Sequence, residues 1–201
     1  MSNATARERV GEVHRVTRET DVLVRVRLDA GVAAHCRTGV PFLDHMLDQV
    51  AHHGRLDLYV EGKGDVDIDD HHTVEDVGIT LGQAIAQALG DKAGICRAAS
   101  FVMPMDDALV MVALDLSGRP FLDYQMELQG RRAGQFDCEL VEEFFRALAL
   151  NAGITMHIRQ LAGVNGHHLV EAAFKAFARA FDAATTLDGR ISGVPSTKGV
   201  L

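Results

Sequence analysis

The stretch Asp69-Asp70-His71-His72-Thr73-Val74-Glu75-Asp76 occurs twice in this chain, returning as Asn165-Gly166-His167-His168-Leu169-Val170-Glu171. Each copy has two adjacent histidines and a glutamate three residues beyond the second. Apolar residues follow both at helical spacing: Val74, Val77, Leu81 and Ile85 after the first, and Val170, Ala173, Phe177 and Phe181 after the second. Each set is one face of an amphipathic helix and packs a core. The chemistry sits at the polar heads. At helical spacing the glutamate lies one turn from either histidine. Imidazole with carboxylate is a good ligand set for a divalent transition metal such as Mn, Fe or Zn. Adjacent helical side chains point roughly 100° apart, so His71 and His72 are expected to serve different sites. A charged helix start would explain one copy, but two copies in matching contexts weigh against it.

Outward from these copies, the same order of elements surrounds each. Val10 to Thr17 and Asp21-Val22-Leu23-Val24-Arg25-Val26-Arg27-Leu28-Asp29 are expected as paired strands, with Glu19-Thr20-Asp21 as the turn. Asp107-Ala108-Leu109-Val110-Met111-Val112-Ala113-Leu114-Asp115 repeats the second of these in its Asp, Leu, Val, Val, Leu and Asp positions. In half one a helix over Phe42 to Val50 follows Pro41, then a strand over Arg55 to Glu61, a turn at Gly62-Lys63-Gly64-Asp65, and the His71 helix to Gly90. Half two gives strands over Ala98 to Met105 and Ala108 to Leu116. An extended segment to Leu128, a polar connector from Gly130 to Phe136, a helix over Cys138 to Asn151, a strand over Ile154 to Leu161 and the His167 helix to about Thr185 complete it. The tail from Gly193 to Leu201 is irregular. The chain is thus an α+β tandem duplication of a ββαβα half. Residues 1–93 and 94–201 form the two halves of one catalytic domain, joined at Gly90-Asp91-Lys92-Ala93-Gly94.

The 201 residues suit such a pair, and an apolar content of 47% is ordinary for a globular chain. A formal net charge of -8 argues against nucleic acid or an anionic membrane as general partner. Cys36, Cys96 and Cys138 form no C-x-x-C pair and read as free thiols in a reducing compartment. The N-terminal stretch from Met1 to Arg9 has no apolar signal region, and no run is long enough to span a bilayer. A cytoplasmic location is therefore expected.

The duplication extends the ligand set. His45 precedes His71 by 26 residues on the preceding helix, and Glu143 precedes His167 by 24 in the matching place. Glu143 is thus the candidate counterpart of His45. The eight residues His45, His71, His72, Glu75, Glu143, His167, His168 and Glu171 suit two metal ions with positions open to substrate. His52 and His53 end a helix, where positive charge suits the dipole, and His157 in a strand reads as structural. Arg97, Arg119, Lys175, Ser196 and Lys198 have the chemistry of a phosphate site, although spacing alone does not bring them together.

At these residues the chain closely resembles the imidazoleglycerol-phosphate dehydratases. The matching motifs are Arg18-Glu19-Thr20, Phe42-Leu43-Asp44-His45-Met46-Leu47, Asp70-His71-His72-Thr73-Val74-Glu75-Asp76, Ser117-Gly118-Arg119-Pro120, His167-His168-Leu169-Val170-Glu171-Ala172 and Ser196-Thr197-Lys198-Gly199. The resemblance implies two four-stranded sheets with helices packed between them, of the ribosomal protein S5 domain 2-like kind. It implies a particle of 24 subunits and two manganese ions per active site at subunit contacts. It implies loss of water from imidazole glycerol phosphate to give imidazole acetol phosphate, in histidine biosynthesis. Glu19 and Glu171 carry over as proton-transfer groups, without an assignment of acid and base between them, and His45 stands at the leaving-group side. Gln49, His53 and Glu19 carry over as substrate contacts, and Arg97, Arg119, Lys175, Ser196 and Lys198 as the phosphate site. The chain departs from the family pattern at Glu143, where many members have histidine. A dinuclear metallohydrolase would also use such donors, but no H-E-x-x-H is present. A metal store would need no phosphate site.

Overall fold

The computed structural model describes residues 8–199, so most of the N-terminal stretch and the last two residues of the tail lie outside the described residues. Half one runs β1 (Val10–Val16), β2 (Thr20–Arg27), β3 (Ala33–Arg37), α1 (Pro41–Gly54), β4 (Asp57–Gly64) and α2 (His71–Leu89). Half two runs β5 (Ala98–Met105), β6 (Ala108–Asp115), β7 (Phe121–Gln125), a two-stranded hairpin of β8 (Arg132–Ala133) and β9 (Phe136–Asp137), α3 (Leu140–Ala152), β10 (Thr155–Ala162) and α4 (Gly166–Thr185). The sheets have matching orders, β1-β2-β4-β3 and β5-β6-β10-β7. In each the last pair is parallel and the rest antiparallel. A parallel pair needs a crossover, which α1 supplies between β3 and β4 and α3 between β7 and β10.

The duplicated α+β fold with helices between two four-stranded sheets is therefore as expected. Each sheet has one strand more than the ββαβα reading, β3 in half one and β7 in half two, and half two adds the β8–β9 hairpin. Ala33-Ala34-His35-Cys36-Arg37 has no β-branched residue and no alternation, so only its pairing with β4 makes it a strand. The Gly62-Lys63-Gly64 segment, expected as a turn, continues β4 to Gly64. A Cβ on Gly64 would lie 2.1 Å from Thr73 Oγ1, so glycine is there to let the start of α2 sit against the strand. The connector before α3 is not simply polar, since Ala133 and Phe136 are buried.

Alternation buries Val22, Val24 and Val26 of β2 and Val110, Val112 and Leu114 of β6 on the inner faces. Helices of opposite halves pair across the middle, α1 with α4 and α2 with α3. The aromatic centre is Phe144, Phe145, Phe174, Phe177 and Phe181, all fully buried. Phe145 packs at ring-centroid distances of 4.8 Å from Phe174 and 5.5 Å from Phe177. This cross-pairing brings the start of each helix in one half to the start of a helix in the other.

Candidate active site

The two histidine pairs open α2 and α4. In both, the ring planes stand 87° apart. The first histidine of each pair meets the glutamate one turn on. His71 Nε2 lies 4.0 Å from Glu75 Oε2, and His167 Nε2 lies 3.2 Å from Glu171 Oε2. The second histidine turns to acids outside the helix, on the β4–α2 loop and the β1–β2 hairpin in half one and on the β5–β6 hairpin in half two. His72 Nδ1 sits 3.0 Å from Asp65 Oδ2 and 3.9 Å from Glu19 Oε2. His168 Nδ1 sits 2.6 Å from Asp107 Oδ1, with Asp106 Oδ2 3.4 Å from Nε2.

Helix pairing completes two matched groups. His45 on α1 reaches across to α4, its Nε2 3.8 Å from Glu171 Oε2. Glu143 on α3 lines an open cavity of about 390 Å³ with His71 of α2, together with Tyr124, Glu139 and Glu142. Glu143, on the helix of half two that matches α1, thus shares a cavity with His71, while His45 on α1 meets Glu171. Phe136 packs on Phe42 at 5.2 Å, and Phe42 meets the His167 ring edge-on at 5.3 Å, so the small hairpin helps fix that imidazole.

Glu171 is only 6% exposed. Burial works to raise its pKa, but the Lys175 ammonium at 2.5 Å, with His167 and His45, outweighs it and holds the carboxyl below its ordinary range. His53 on α1 is shifted down, first by burial and then by Lys175 and His52. His72 is shifted up by its hydrogen bond to Asp65. The Asp107 carboxyl is held well down by the Val164 amide first and then by His168 and the Asn165 amide.

Arg97, Arg119, Ser196 and Lys198 line one open cleft of about 570 Å³ with Pro195 and Thr197. Arg97 is fixed there by Asp115, with Nε–Oδ1 and Nη2–Oδ2 distances of 2.7 and 3.0 Å, and by Nη1 donating to the Pro195 carbonyl at 2.8 Å. Arg119 points more freely, its side chain 67% exposed. Lys175 is not with them. It stands beside Glu171 with Nζ 3.9 Å from Met105 Sδ, at the far end of β5 from Arg97. Gln49 is half-buried on α1, between His45 and His53 in sequence. His157 pairs with Asp123 at 3.0 Å in the second sheet, away from the helix starts.

Acids on the loops facing the helix starts are not marked by any motif in the sequence. Asp65, Asp106 and Asp107 orient the second histidines, and the repeated Asp21 and Asp107 positions were the available signal. Tyr124 gave none, and the motif that contains Asp76 gave no sign of its partners Arg15 and Thr20, which lie far along the chain. The imidazole and carboxylate donors at the helix starts fit a divalent metal by chemistry. Among the described residues no three His, Cys, Asp or Glu side chains form a group that could hold an ion by themselves.

Cross-paired helices that set imidazole and carboxylate at matched positions define a duplicated α+β enzyme. The profile of the family "Imidazoleglycerol-phosphate dehydratase" matches residues 38–181. The Synechococcus sp. (strain CC9605) protein of that name is 59% identical over 194 residues, covering 96% of each chain. Among solved structures, the Staphylococcus aureus imidazoleglycerol-phosphate dehydratase is similar with a TM-score of 0.81 and 40% identity, covering 89% of this chain and 99% of the other. The Pyrococcus furiosus enzyme is similar with a TM-score of 0.82 and 39% identity, covering 94% and 100%. The chain belongs to the imidazoleglycerol-phosphate dehydratase family and is a hydro-lyase of histidine biosynthesis.

Proposed function

We propose that the chain dehydrates imidazole glycerol phosphate to imidazole acetol phosphate as a manganese-dependent, cytoplasmic enzyme whose active sites form between copies of itself in a 24-subunit particle. The observation that carries this is the divergence of the two histidine pairs. In each half one imidazole faces a helix partner and the next faces a hairpin. A single chain therefore offers its donors to more than one site. His45, His71, His72, Glu75, Glu143, His167, His168 and Glu171 would hold two manganese ions per site. When bound, these ions act as Lewis acids on the substrate's imidazole ring. The chain's own groups do the rest. Glu171, kept ionised by Lys175, is a proton acceptor, and Glu19 beside His72 is the second proton-transfer group. His45 stands where the hydroxyl departs. Gln49 and His53 meet the substrate on the α1 side, while Arg97, Arg119, Ser196 and Lys198, with Lys175 from another copy, bind its phosphate.

The cytoplasmic assignment is supported by three free cysteines and by the lack, among the described residues, of any helix long and apolar enough to cross a membrane. The test measures metal content and turnover on one purified sample before and after chelation. Turnover is expected to fall with manganese and return when it is added back. Metal-bound imidazole must be deprotonated, so acidification through the histidine range has the same effect as chelation. Full turnover in a sample shown by elemental analysis to be metal-free would sink the proposal. Light scattering on the same samples is expected to show a smaller particle without metal.

A further inference from the structure

Half one contains a chain of hydrogen bonds that half two lacks. The β1–β2 hairpin pairs Val16 with Asp21, whereas the β5–β6 hairpin pairs Met105 with Ala108 directly around Asp106-Asp107. Aligned on Asp21 and Asp107, the first hairpin is longer by four residues, Thr17-Arg18-Glu19-Thr20. Within this insert Thr17 Oγ1 accepts from the amides of Glu19 at 3.1 Å and Thr20 at 2.9 Å, and lies 3.1 Å from Thr20 Oγ1. Thr20, 4% exposed, donates its hydroxyl to Asp76 Oδ2. Arg15 Nε donates to Asp76 Oδ1 at 2.9 Å.

Asp76 is 8% exposed and lies one turn beyond His72 on α2. The same helix therefore presents His72 to the Glu19 carboxylate, 3.9 Å away, and anchors the backbone that carries Glu19. A buried carboxylate is costly unless its partners are in place. The fold itself does not require one here. Aligned on His71 and His167, the place of Asp76 is taken in half two by Ala172, where the hairpin has no insert and no glutamate. Insert and buried acid occur together, in the half that carries Glu19.

We propose that Asp76 is a positioning residue of the dehydration. It clamps the Thr17–Thr20 insert through Thr20 and Arg15, so that Glu19 is held beside His72. The proposal rests on Glu19 being a proton-transfer group. Asp76→Asn, Thr20→Val, Thr20→Ser, Glu19→Gln and the double variant Glu19→Gln/Asp76→Asn are to be assayed as manganese-loaded protein. The measurements are kcat, KM, manganese content and amide exchange over residues 17–21. A misplaced catalytic group costs up to about a hundredfold, so Asp76→Asn and Thr20→Val are expected to lower kcat at least about tenfold, with KM and manganese content within about twofold. Exchange over 17–21 quickens in both, Thr20→Ser keeps wild-type behaviour, and the double variant is no slower than Glu19→Gln. Should Asp76→Asn fail to fold, Thr20→Val removes one hydroxyl from the same chain and decides alone. Wild-type kcat in Thr20→Val, unchanged exchange, or losses that multiply in the double variant overturn the proposal. Wild-type turnover in Glu19→Gln overturns the reading beneath it instead, and is recognised because exchange in Asp76→Asn can quicken all the same.

Discussion

At the scale of single residues, Glu143 shows what repeat logic can and cannot reach. Its spacing from His167 made it the counterpart of His45, and the structure places it in one cavity with His71. Glu142 lines that cavity too, but its carboxylate is taken by Arg146 one turn on. Of the two acids at the repeated position, Glu143 is the one with a free carboxylate among the described residues, and the proposed ligand role is tested there. Glu143→Ala is expected to weaken manganese binding at one of two sites by more than about tenfold, since even outer partners of metal ligands are worth roughly 10–100-fold. Glu143→His restores much of it, and Glu142→Ala leaves manganese binding within about 0.5 kcal/mol. Manganese titration of the three variants checks this, and the reverse pattern would move the ligand by one residue. Glu143 was legible because it lies at a repeated position on a helix. Asp76 stood in a recognised motif, yet its partners Arg15 and Thr20 lie 61 and 56 residues away in sequence. No local pattern encodes that meeting.

At the scale of elements, sequence patterning was strongest where one face is buried and weakest at edges and close approaches. α2 and α4 were legible to their ends, because apolar stripes run their whole length. β3 was not, since an edge strand with two alanines and an arginine has no face to betray it. Glycine misled at Gly62 and Gly64, expected in a turn but lying in β4. Gly78 in the middle of α2 looks like a weak point in a helix, where alanine ordinarily gains up to about 1 kcal/mol. Here a Cβ would lie 2.7 Å from the Phe144 carbonyl oxygen and 3.0 Å from Ala147 Cβ, both on α3. Backbone cannot step aside as a flexible side chain can, and overpacking of this kind costs about 1–3 kcal/mol. The clash outweighs the propensity. Gly78→Ala is expected to destabilise by up to roughly 2 kcal/mol net, or up to about 8 °C in Tm. Gly189→Ala, with no atom within 4 Å of the new Cβ, is the control and leaves Tm unchanged. Calorimetry on both variants decides it, and a stabilised Gly78→Ala would mean that α2 and α3 are less tightly packed than the structure has them.

At the scale of the whole molecule, the cations of the expected phosphate site fall into two places. Arg97 precedes β5, and Lys175 touches Met105 at its other end. Seven residue steps of an extended strand separate Ala98 from Met105, on the order of 20 Å. A six-bond phosphate ester spans less than about 10 Å at ordinary bond lengths. A substrate held in the cleft beside Arg97 therefore falls short of the Lys175 end of β5 in the same chain. Motif spacing could not show this, because it reports which residues belong to a site and not which copy supplies them. If both ends serve one reaction, the phosphate cleft of one chain must face the Glu171 end of another. Arg119→Ala and Glu171→Gln are each expected to abolish most turnover when assembled alone. Mixed in dissociated form and then reassembled with manganese, they should recover a measurable fraction of wild-type turnover, because some sites then combine an intact cleft from one chain with an intact Glu171 from another. Sites contained within single chains would give no recovery at any mixing ratio. Recovery that rises and falls with the ratio, greatest near equal amounts, is the signature of sites shared between chains.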